Sequence, residues 1–192
     1  MLSVALQEWA AICDRLGDGN LCLIVRKGGI HERGGGLFAL EHDRFALMPT
    51  YLHQDAARLR GAPAVPADPS PGQHRLVLWA EAAAIWKVTE RPHLDRLDLP
   101  WTPAELDARF AYKGQPFLFV IALRVHRLAA PVIIPDQPSY AGCRSWIPLS
   151  APIATAESTP VLAPASFADR LQRDAAILGC PPPLAPRPPP TP

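Results

Sequence analysis

The chain has 192 residues, a formal net charge of +1 and 48% hydrophobic residues. Such a length can bury a full core, and the near-neutral charge excludes a global attraction to nucleic acid or membrane. The longest strongly apolar run, residues 117–123, is too short to span a bilayer. Acidic residues at Glu8 and Asp14 come too early for a signal peptide. These observations predict a cytoplasmic protein.

The first third of the chain predicts a helix followed by short strands. Apolar residues at helical spacing favour a helix over residues 3–16. Residues 21–25 are apolar on both faces, which predicts a central strand. A glycine cluster then allows a reversal into residues 37–40, and alternation predicts a strand over residues 44–48. Together these elements predict an antiparallel meander with a helix in front of it.

Thr50 is a plausible N-cap for a short helix that runs through Leu59. Residues 61–73 are rich in proline and predict an exposed loop. Residues 74–88 predict one strand, bent near residues 82–84, because β-branched and aromatic residues recur and no helix cap precedes them.

The second half carries clearer helix boundaries. Thr102-Pro103-Ala104-Glu105 is a capping box with proline at the first helical position, and it predicts a helix that ends before Gly114. A shorter helix is expected around residues 92–97. Residues 117–125 predict a second strand that is apolar on both faces, and a last helix is expected to start at Ser166.

These elements predict an α+β fold with a mixed or mostly antiparallel sheet and flanking helices, in a single domain over residues 1–178. Eight of the last twelve residues are proline. We therefore expect residues 179–192 to form a polyproline-II or disordered tail. The four cysteines show no metal-binding spacing, and Cys13 and Cys22 are expected to be buried, reduced thiols.

The turn Arg26-Lys27-Gly28-Gly29 directly follows a predicted strand. Its backbone N–H groups and two cations could hold a phosphate or a carboxylate. The alternative is a hairpin turn in which the glycines supply positive φ angles and the charges are solvated. No complete phosphate-loop motif decides between the two.

Histidines and an acid recur in the same part of the chain, at His31, Glu32, His42 and His53. Imidazole and carboxylate groups are zinc ligands, so these residues could form a metal site if the strands brought them together. They lack HxH or HExxH spacing, which favours an accidental scatter of histidines over a metal site. The sequence thus leaves both a metal and a cofactor unknown.

Two later segments carry candidate chemistry. Arg124 and His126 are two residues apart on a buried strand and should share one face, where the arginine needs an acid partner, either Glu81 or Glu41. The thiol of Cys143 lies beside Arg144, which could lower its pKa, so Cys143 is a candidate nucleophile. The spacing identifies no base for it.

Several stretches resemble a bacterial family catalogued as domain of unknown function 1802. They are residues 26–32 (RKGGIHE), 45–54 (FALMPTYLHQ), 123–128 (LRVHRL) and 140–146 (YAGCRSW). The resemblance covers about residues 5–178. Some members are similar in being joined to a restriction-endonuclease-like domain, which implies a link to DNA restriction or defence.

The resemblance implies one pocket shared by these stretches. His53 would be its acid, base or metal ligand, Glu32 an orienting carboxylate, and Arg26 and Lys27 the anion contacts. With Cys143 as a candidate nucleophile, the remaining ligand-binding candidates are Gly28, Gly29, His31, Thr50, Tyr51, Gln54, Arg124, Tyr140, Ser145 and Trp146.

Three functions remain open from the sequence, and the plainest is a structural partner protein whose proline-rich tail and loop recruit another molecule. The other two are more specific. The first is a nucleic-acid or nucleotide binding module, or a partner of a restriction-type nuclease, with Arg26, Lys27, Arg33 and Arg124 as a basic patch. The second is a hydrolase or transferase centred on His53, with or without a metal. A restriction-type nuclease site within the chain is not expected, because no lysine completes a Glu-x-Lys motif.

Overall fold

The computed structural model describes residues 1–27, 40–61, 64–140 and 144–181. Seven strands and four helices lie within these residues. The strands are β1 (Leu2–Trp9), β2 (Leu23–Arg26), β3 (Arg44–Thr50), β4 (Gln73–Val88), β5 (Leu118–Pro135), β6 (Trp146–Ile153) and β7 (Thr159–Pro160). The helices are α1 (Ala10–Gly17), α2 (Arg91–Asp95), α3 (Pro103–Ala111) and α4 (Pro164–Leu178).

The seven strands form one mixed sheet in the order β2-β5-β4-β3-β1-β6, and β7 pairs with β5. β1 and β3 are parallel, whereas the other described pairs are antiparallel. This arrangement confirms the predicted α+β class with a mixed, mostly antiparallel sheet. No helix in the described part of the chain is long and apolar enough to cross a membrane.

Successive residues of a strand point to opposite faces, and the two faces of this sheet bury different clusters. The inner face carries Leu6, Phe45 and Val125, and it packs with residues of α1, α3 and α4 into the larger core. The outer face carries a smaller cluster that includes Trp79 and Tyr140. The inner face therefore holds the fold together, and the outer face has fewer apolar partners.

The sheet curls so that its end strand approaches β1. Arg26, at the end of β2, donates from Nη2 to the backbone oxygen of Gln7 over 3.1 Å, and its Nη1 lies 3.3 Å from Oε2 of Glu8. Register shifts near residues 76–78 and 82–84 interrupt the pairing of β4 with β5. Such irregularities bend long strands and allow the curl.

The expected N-terminal helix is wrong for its first half. Residues 2–9 form strand β1, and the helix covers only Ala10–Gly17. Leu2, Val4 and Leu6 alternate along the chain as a strand requires, yet the apolar residues that follow continue at helical spacing. The strand period and the helix period therefore overlap in the first residues of the chain. Pairing of β1 with both β3 and β6 decides in favour of the strand.

The expected meander is also wrong. β2 is buried along three of its four residues, as predicted, but it is an end strand and pairs with β5 rather than with a neighbour in sequence. β3 lies parallel to β1. The predicted helix after Thr50 is only a 3-10 turn at Ala56–Arg58, which Asp55 caps.

The other local predictions are confirmed. Residues 73–88 form one strand with a register shift between Ala82 and Ala84. The hydroxyl of Thr102 accepts from the backbone N–H of Glu105 at the start of α3, which ends before Gly114. β5 extends further than predicted, and α4 starts at Pro164 rather than Ser166.

Candidate functional site

A row of charged side chains crosses the outer face of the sheet. Arg44 of β3, Glu81 of β4 and Arg124 of β5 are register partners, so they lie side by side on three adjacent strands. Arg124 alternates with Leu123 and Val125 of the inner core, which places its side chain on the outer face. Glu81 is one of the two acids that the sequence suggested for Arg124. No ion pair joins it to either arginine in the described part of the chain.

The next row on this face centres on Trp79, which is 4% exposed. Its register partners are Ala46 and His126. The His126 ring stacks on the indole with centroids 4.1 Å apart and an interplanar angle of 9°, and the Arg44 guanidinium lies 4.8 Å from the ring centroid. Since these groups come from the strands on either side of β4, the indole ring is held between them.

Three buried nitrogen atoms in these two rows have no hydrogen-bond partner among the described residues: Trp79 Nε1, Arg124 Nε and His126 Nε2. Leaving such a group unpaired costs roughly 1–3 kcal/mol. Burial and then the Arg124 charge lower the pKa of His126, while Glu81 acts in the opposite direction. We call Arg44, Trp79, Glu81, Arg124 and His126 the outer-face cluster.

A second polar group lies on the inner side, where β1 meets α1. The Glu8 carboxylate is 6% exposed, accepts from its neighbour Trp9 N–H over 2.9 Å and pairs with Arg26. Thr50 donates from Oγ1 to the backbone oxygen of Glu8 over 3.2 Å. Burial, followed by the Glu8 charge, raises the pKa of Cys13 well above its usual range, so this thiol is unreactive.

Lys27 follows Arg26 and is also used within the fold. Its Nζ donates to the backbone oxygens of Phe110, Gln115 and Phe117, and it lies 4.0 Å from the centroid of the Phe117 ring. Burial and then Lys87 lower its pKa. The three carbonyl acceptors occupy the donors that an external anion would need.

The remaining candidates near β3 differ in their placement. The Gln54 side chain accepts from Ala11 N–H over 2.9 Å and donates to the Pro66 oxygen over 3.2 Å, so it ties the loop to α1. His53 is exposed and has a φ of 62°, which non-glycine residues adopt rarely. Burial, and then the nearby Asp68 and Asp14 charges, raise the pKa of Tyr51, so its phenol stays protonated.

A cleft of about 150 Å³ opens beside Tyr51. It lies between α1, the end of β3, the proline-rich loop and the adjoining parts of β4 and β5. Its charged lining residues are Asp14, Asp18, Arg75 and Arg127. None of these four residues was predicted from the sequence to belong to a functional site.

The described residues do not unite the predicted pocket. Arg26 and Thr50 contact Glu8, which lies two residues after Leu6 in β1 and therefore shares its inner face. Arg124 and Tyr140 belong to the outer face. Trp146 packs on the inner-face residue Phe45 with centroids 5.1 Å apart. The sheet thus separates Arg26 from Arg124.

Gln7 of β1 contacts the predicted stretch 140–146 at two of its backbone oxygens. Its N–H donates to the oxygen of Ser145 over 2.9 Å, and its side chain donates to the oxygen of Tyr140, also over 2.9 Å. Ser145 and Tyr140 are both buried. The predicted residues Gly28, Gly29, His31, Glu32 and Cys143 lie outside the described residues.

Sequence reasoning missed Glu8, Arg44 and Trp79. Arg44 and Trp79 could have been found from alternation, because each shares a strand face with residues whose neighbours are apolar. Glu8 carried no such sign, since it falls in the stretch that was predicted as helix. In the described ranges, no group of three or more His, Cys, Asp or Glu residues could hold a metal ion.

The fold and these clusters define an α+β protein built on one curled mixed sheet, whose outer face buries nitrogen atoms that lack a hydrogen-bond partner within residues 1–27, 40–61, 64–140 and 144–181. The chain belongs to the family described as a domain of unknown function (DUF1802), whose profile matches residues 5–173. No curated protein and no solved structure matches the chain.

Proposed function

We propose that this protein binds the phosphate groups of a nucleotide or nucleic acid at the outer-face cluster. The observation that carries the proposal is the set of three buried nitrogen atoms of Trp79, Arg124 and His126, for which the described part of the chain supplies no hydrogen-bond partner. Indole and guanidinium N–H groups only donate, and imidazole nitrogen donates when it is protonated. A ligand that satisfies all of them needs several acceptor oxygens close together.

The charge of the cluster favours an anionic ligand. Arg44 and Arg124 flank a single carboxylate, Glu81, so the row carries more positive than negative charge. Guanidinium groups bind phosphate oxygens through two parallel N–H donors. The phosphate would also favour the protonated form of His126, whose charge is otherwise disfavoured by burial and by Arg124.

The packing of Trp79 indicates which part of such a ligand the protein would contact. His126 and Arg44 cover its ring, so a base has no free indole face there on which to stack. The contacts would go to phosphate oxygens, which position a nucleic acid without reading its sequence. Binding of this kind is salt-dependent and tolerant of base identity.

The test is a titration of the full chain with a fluorescently labelled single-stranded oligonucleotide and with AMP. We expect the double substitution Arg44→Ala/Arg124→Ala to weaken binding at least about tenfold, because two charged phosphate contacts are lost. The slope of log affinity against log salt should become shallower by about two phosphate contacts.

Arg173→Ala is the matched control, since it removes an exposed arginine from α4, far from the cluster in sequence. It should leave binding and the salt slope unchanged. Affinity that is the same for the unchanged chain and the double variant, at all salt concentrations, would refute the proposal. Circular dichroism of each variant verifies that the fold is retained.

The implied link with DNA restriction or defence supplies the cellular setting of this proposal. A cytoplasmic protein that holds a nucleic-acid backbone without reading its sequence suits a partner of a nuclease that supplies the cleavage chemistry. The outer face, rather than the Arg26–Lys27 turn, is then the nucleic-acid contact, because the described contacts of Arg26 and Lys27 are internal.

A further inference from the structure

The cleft beside α1 has opposite charges on its walls. Asp14 lies in the last turn of α1 and Asp18 directly follows the helix, while Arg75 comes from β4 on the other side. None of the three forms an ion pair in the described parts of the chain. Their charges therefore face the cleft without being neutralised within the protein.

The carboxylate wall favours a cation. Asp14 and Asp18 lie four residues apart and both line the cleft, and burial and then the Asp18 charge raise the pKa of Asp14. The carboxyl end of a helix adds partial negative charge at the same place. A bound ammonium group would relieve both effects.

The opposite wall favours an anion. Tyr51 and Arg75 both line the cleft, and the Arg75 charge partly offsets the rise in the pKa of the Tyr51 phenol. The protonated phenol and the guanidinium are both donors. They suit a carboxylate that lies a few bond lengths from the ammonium group.

Arg127 closes the cleft and is held there by the backbone. Its Nη2 donates to the oxygen of Gly17 over 2.8 Å. A Cβ atom at position 17 would lie 3.1 Å from Leu78 Cδ1 and 3.6 Å from Arg127 Nη2, so the glycine permits this close approach. Leu47, Leu78 and Val77 supply an apolar floor.

We propose that this cleft binds a small zwitterion of amino-acid size, with its ammonium group at Asp14 and Asp18 and its carboxylate at Arg75 and Tyr51. The volume of about 150 Å³ supports a ligand of this size. Pockets for drug-sized ligands measure roughly 300–1,000 Å³, so a nucleotide is too large for this cleft. The site is separate from the outer-face cluster and independent of it.

The test uses three related probes: L-valine, isobutylamine, which lacks the carboxylate, and isovalerate, which lacks the amine. Each is titrated to about 10 mM against the full chain and followed by NMR chemical shifts. We expect L-valine to shift resonances of the cleft and each single-charge probe to bind at least about tenfold more weakly.

Asp14→Asn and Arg75→Gln should each weaken L-valine binding about tenfold. Asp169→Asn and Arg173→Gln, which change exposed charges on α4, are the matched controls and should have no effect. Absence of cleft shifts with L-valine, equal binding of all three probes, or binding unaffected by the two cleft substitutions would each overturn the proposal.

Discussion

Lys27 illustrates how a charge that looks available in the sequence can be consumed by the fold. Its Nζ donates to three backbone oxygens around the segment that leads into β5. Those carbonyls belong to residues 110–117, just before β5 begins, and of the three only the Gln115 oxygen also accepts, among the described residues, from a backbone N–H outside the regular elements, that of Phe117. The lysine thus supplies the hydrogen bonds that secondary structure leaves unmade there.

We predict that Lys27→Met lowers the free energy of unfolding by about 2–4 kcal/mol, because the carbonyls that Lys27 satisfies lose their donor inside the protein. Urea denaturation of the two chains measures the difference. Lys87→Met is the control, because Lys87 is exposed and contacts the same Phe117 ring at 4.3 Å. Its loss should cost no more than about 1 kcal/mol. Equal effects of the two substitutions would contradict the assigned role of Lys27.

For Arg26 and Lys27, the sequence identified the polar residues but not the groups that they contact. Arg26 and Lys27 were expected to face an anion because they follow a strand and precede glycines. Their described contacts instead lie on β1 and before β5, at residues 8 and 110–117, which are distant in sequence. Local spacing carries no information about such contacts, so charge alone could not separate an internal from an external role.

Helix α4 carries a buried acid on its packed side. Asp174 is 6% exposed, and it lies three residues after Leu171 and four before Leu178, which places it on the apolar stripe. Burial raises its pKa to about 6, with Arg173 acting in the opposite direction and Asp98 adding to the rise. The ionised form is therefore disfavoured in the folded state.

The sign of the resulting pH dependence follows from the two states. The unfolded carboxyl has a pKa near 3.8, so between that value and about 6 the folded chain binds more protons than the unfolded chain. Stability consequently falls as the pH rises through this window, and the full cost is present at neutral pH. This cost in stability disappears when the pH falls below the pKa of the Asp174 carboxyl in the unfolded chain.

We predict that Asp174→Asn stabilises the protein at neutral pH by up to about 3 kcal/mol and has little effect near the unfolded pKa. Thermal unfolding across this pH range measures both values. Asp169→Asn changes an exposed acid of the same helix and should leave the pH profile as it is. A profile for Asp174→Asn that parallels the unchanged chain would contradict this assignment.

Elements that carry a local sequence signal, such as a helix cap or a run of strand-forming residues, were predictable. The capping box at Thr102 fixes the start of α3, and β4 was recognised from its residues together with its bend. β1 was not predictable, because its apolar residues fit both the strand period and the helix period. Only its pairing with neighbouring strands in the sheet decides in favour of a strand. The same holds for Asp174, whose position on the stripe was visible but whose burial depends on what α4 packs against.

On the scale of the whole molecule, the Glu8–Arg26 pair closes the curl of the sheet. Arg26 Nη1 of β2 lies 3.3 Å from Glu8 Oε2 of β1, although three other strands lie between β2 and β1 in the sheet order. The two side chains of this pair are 15% and 6% exposed. Removing one partner of such a pair leaves a charge in a poorly solvated place.

We predict that Arg26→Met lowers the free energy of unfolding by about 3–5 kcal/mol, and that the double substitution Glu8→Gln/Arg26→Met costs less than the sum of the single ones. Hydrogen exchange at the amides of β2 should increase in Arg26→Met, since the end strand loses its link to β1. Strict additivity of the two substitutions would show that the pair does not act as a unit.

The predicted fold class was confirmed, but the strand neighbours and the shared pocket could not be inferred. Apolar residues on both faces of residues 21–25 indicated burial, and burial is compatible with any position in the sheet. The pocket was assembled from stretches that resemble one family, yet Arg26 contacts Glu8 on the inner side of the sheet whereas the Arg124 side chain lies on the outer face. Which face a residue occupies depends on register, and register over such separations is set by the complete sheet.

The place of β1 between β3 and β6 has a consequence for synthesis of the chain. Residues 2–9 emerge well before one of their two strand partners, Trp146–Ile153, which is made after β3, β4 and β5. Until that segment leaves the ribosome, one edge of β1 has no partner within the sheet. Folding is thus dominated by contacts that are distant in sequence, which makes it slow and leaves an apolar strand open to association with other nascent chains.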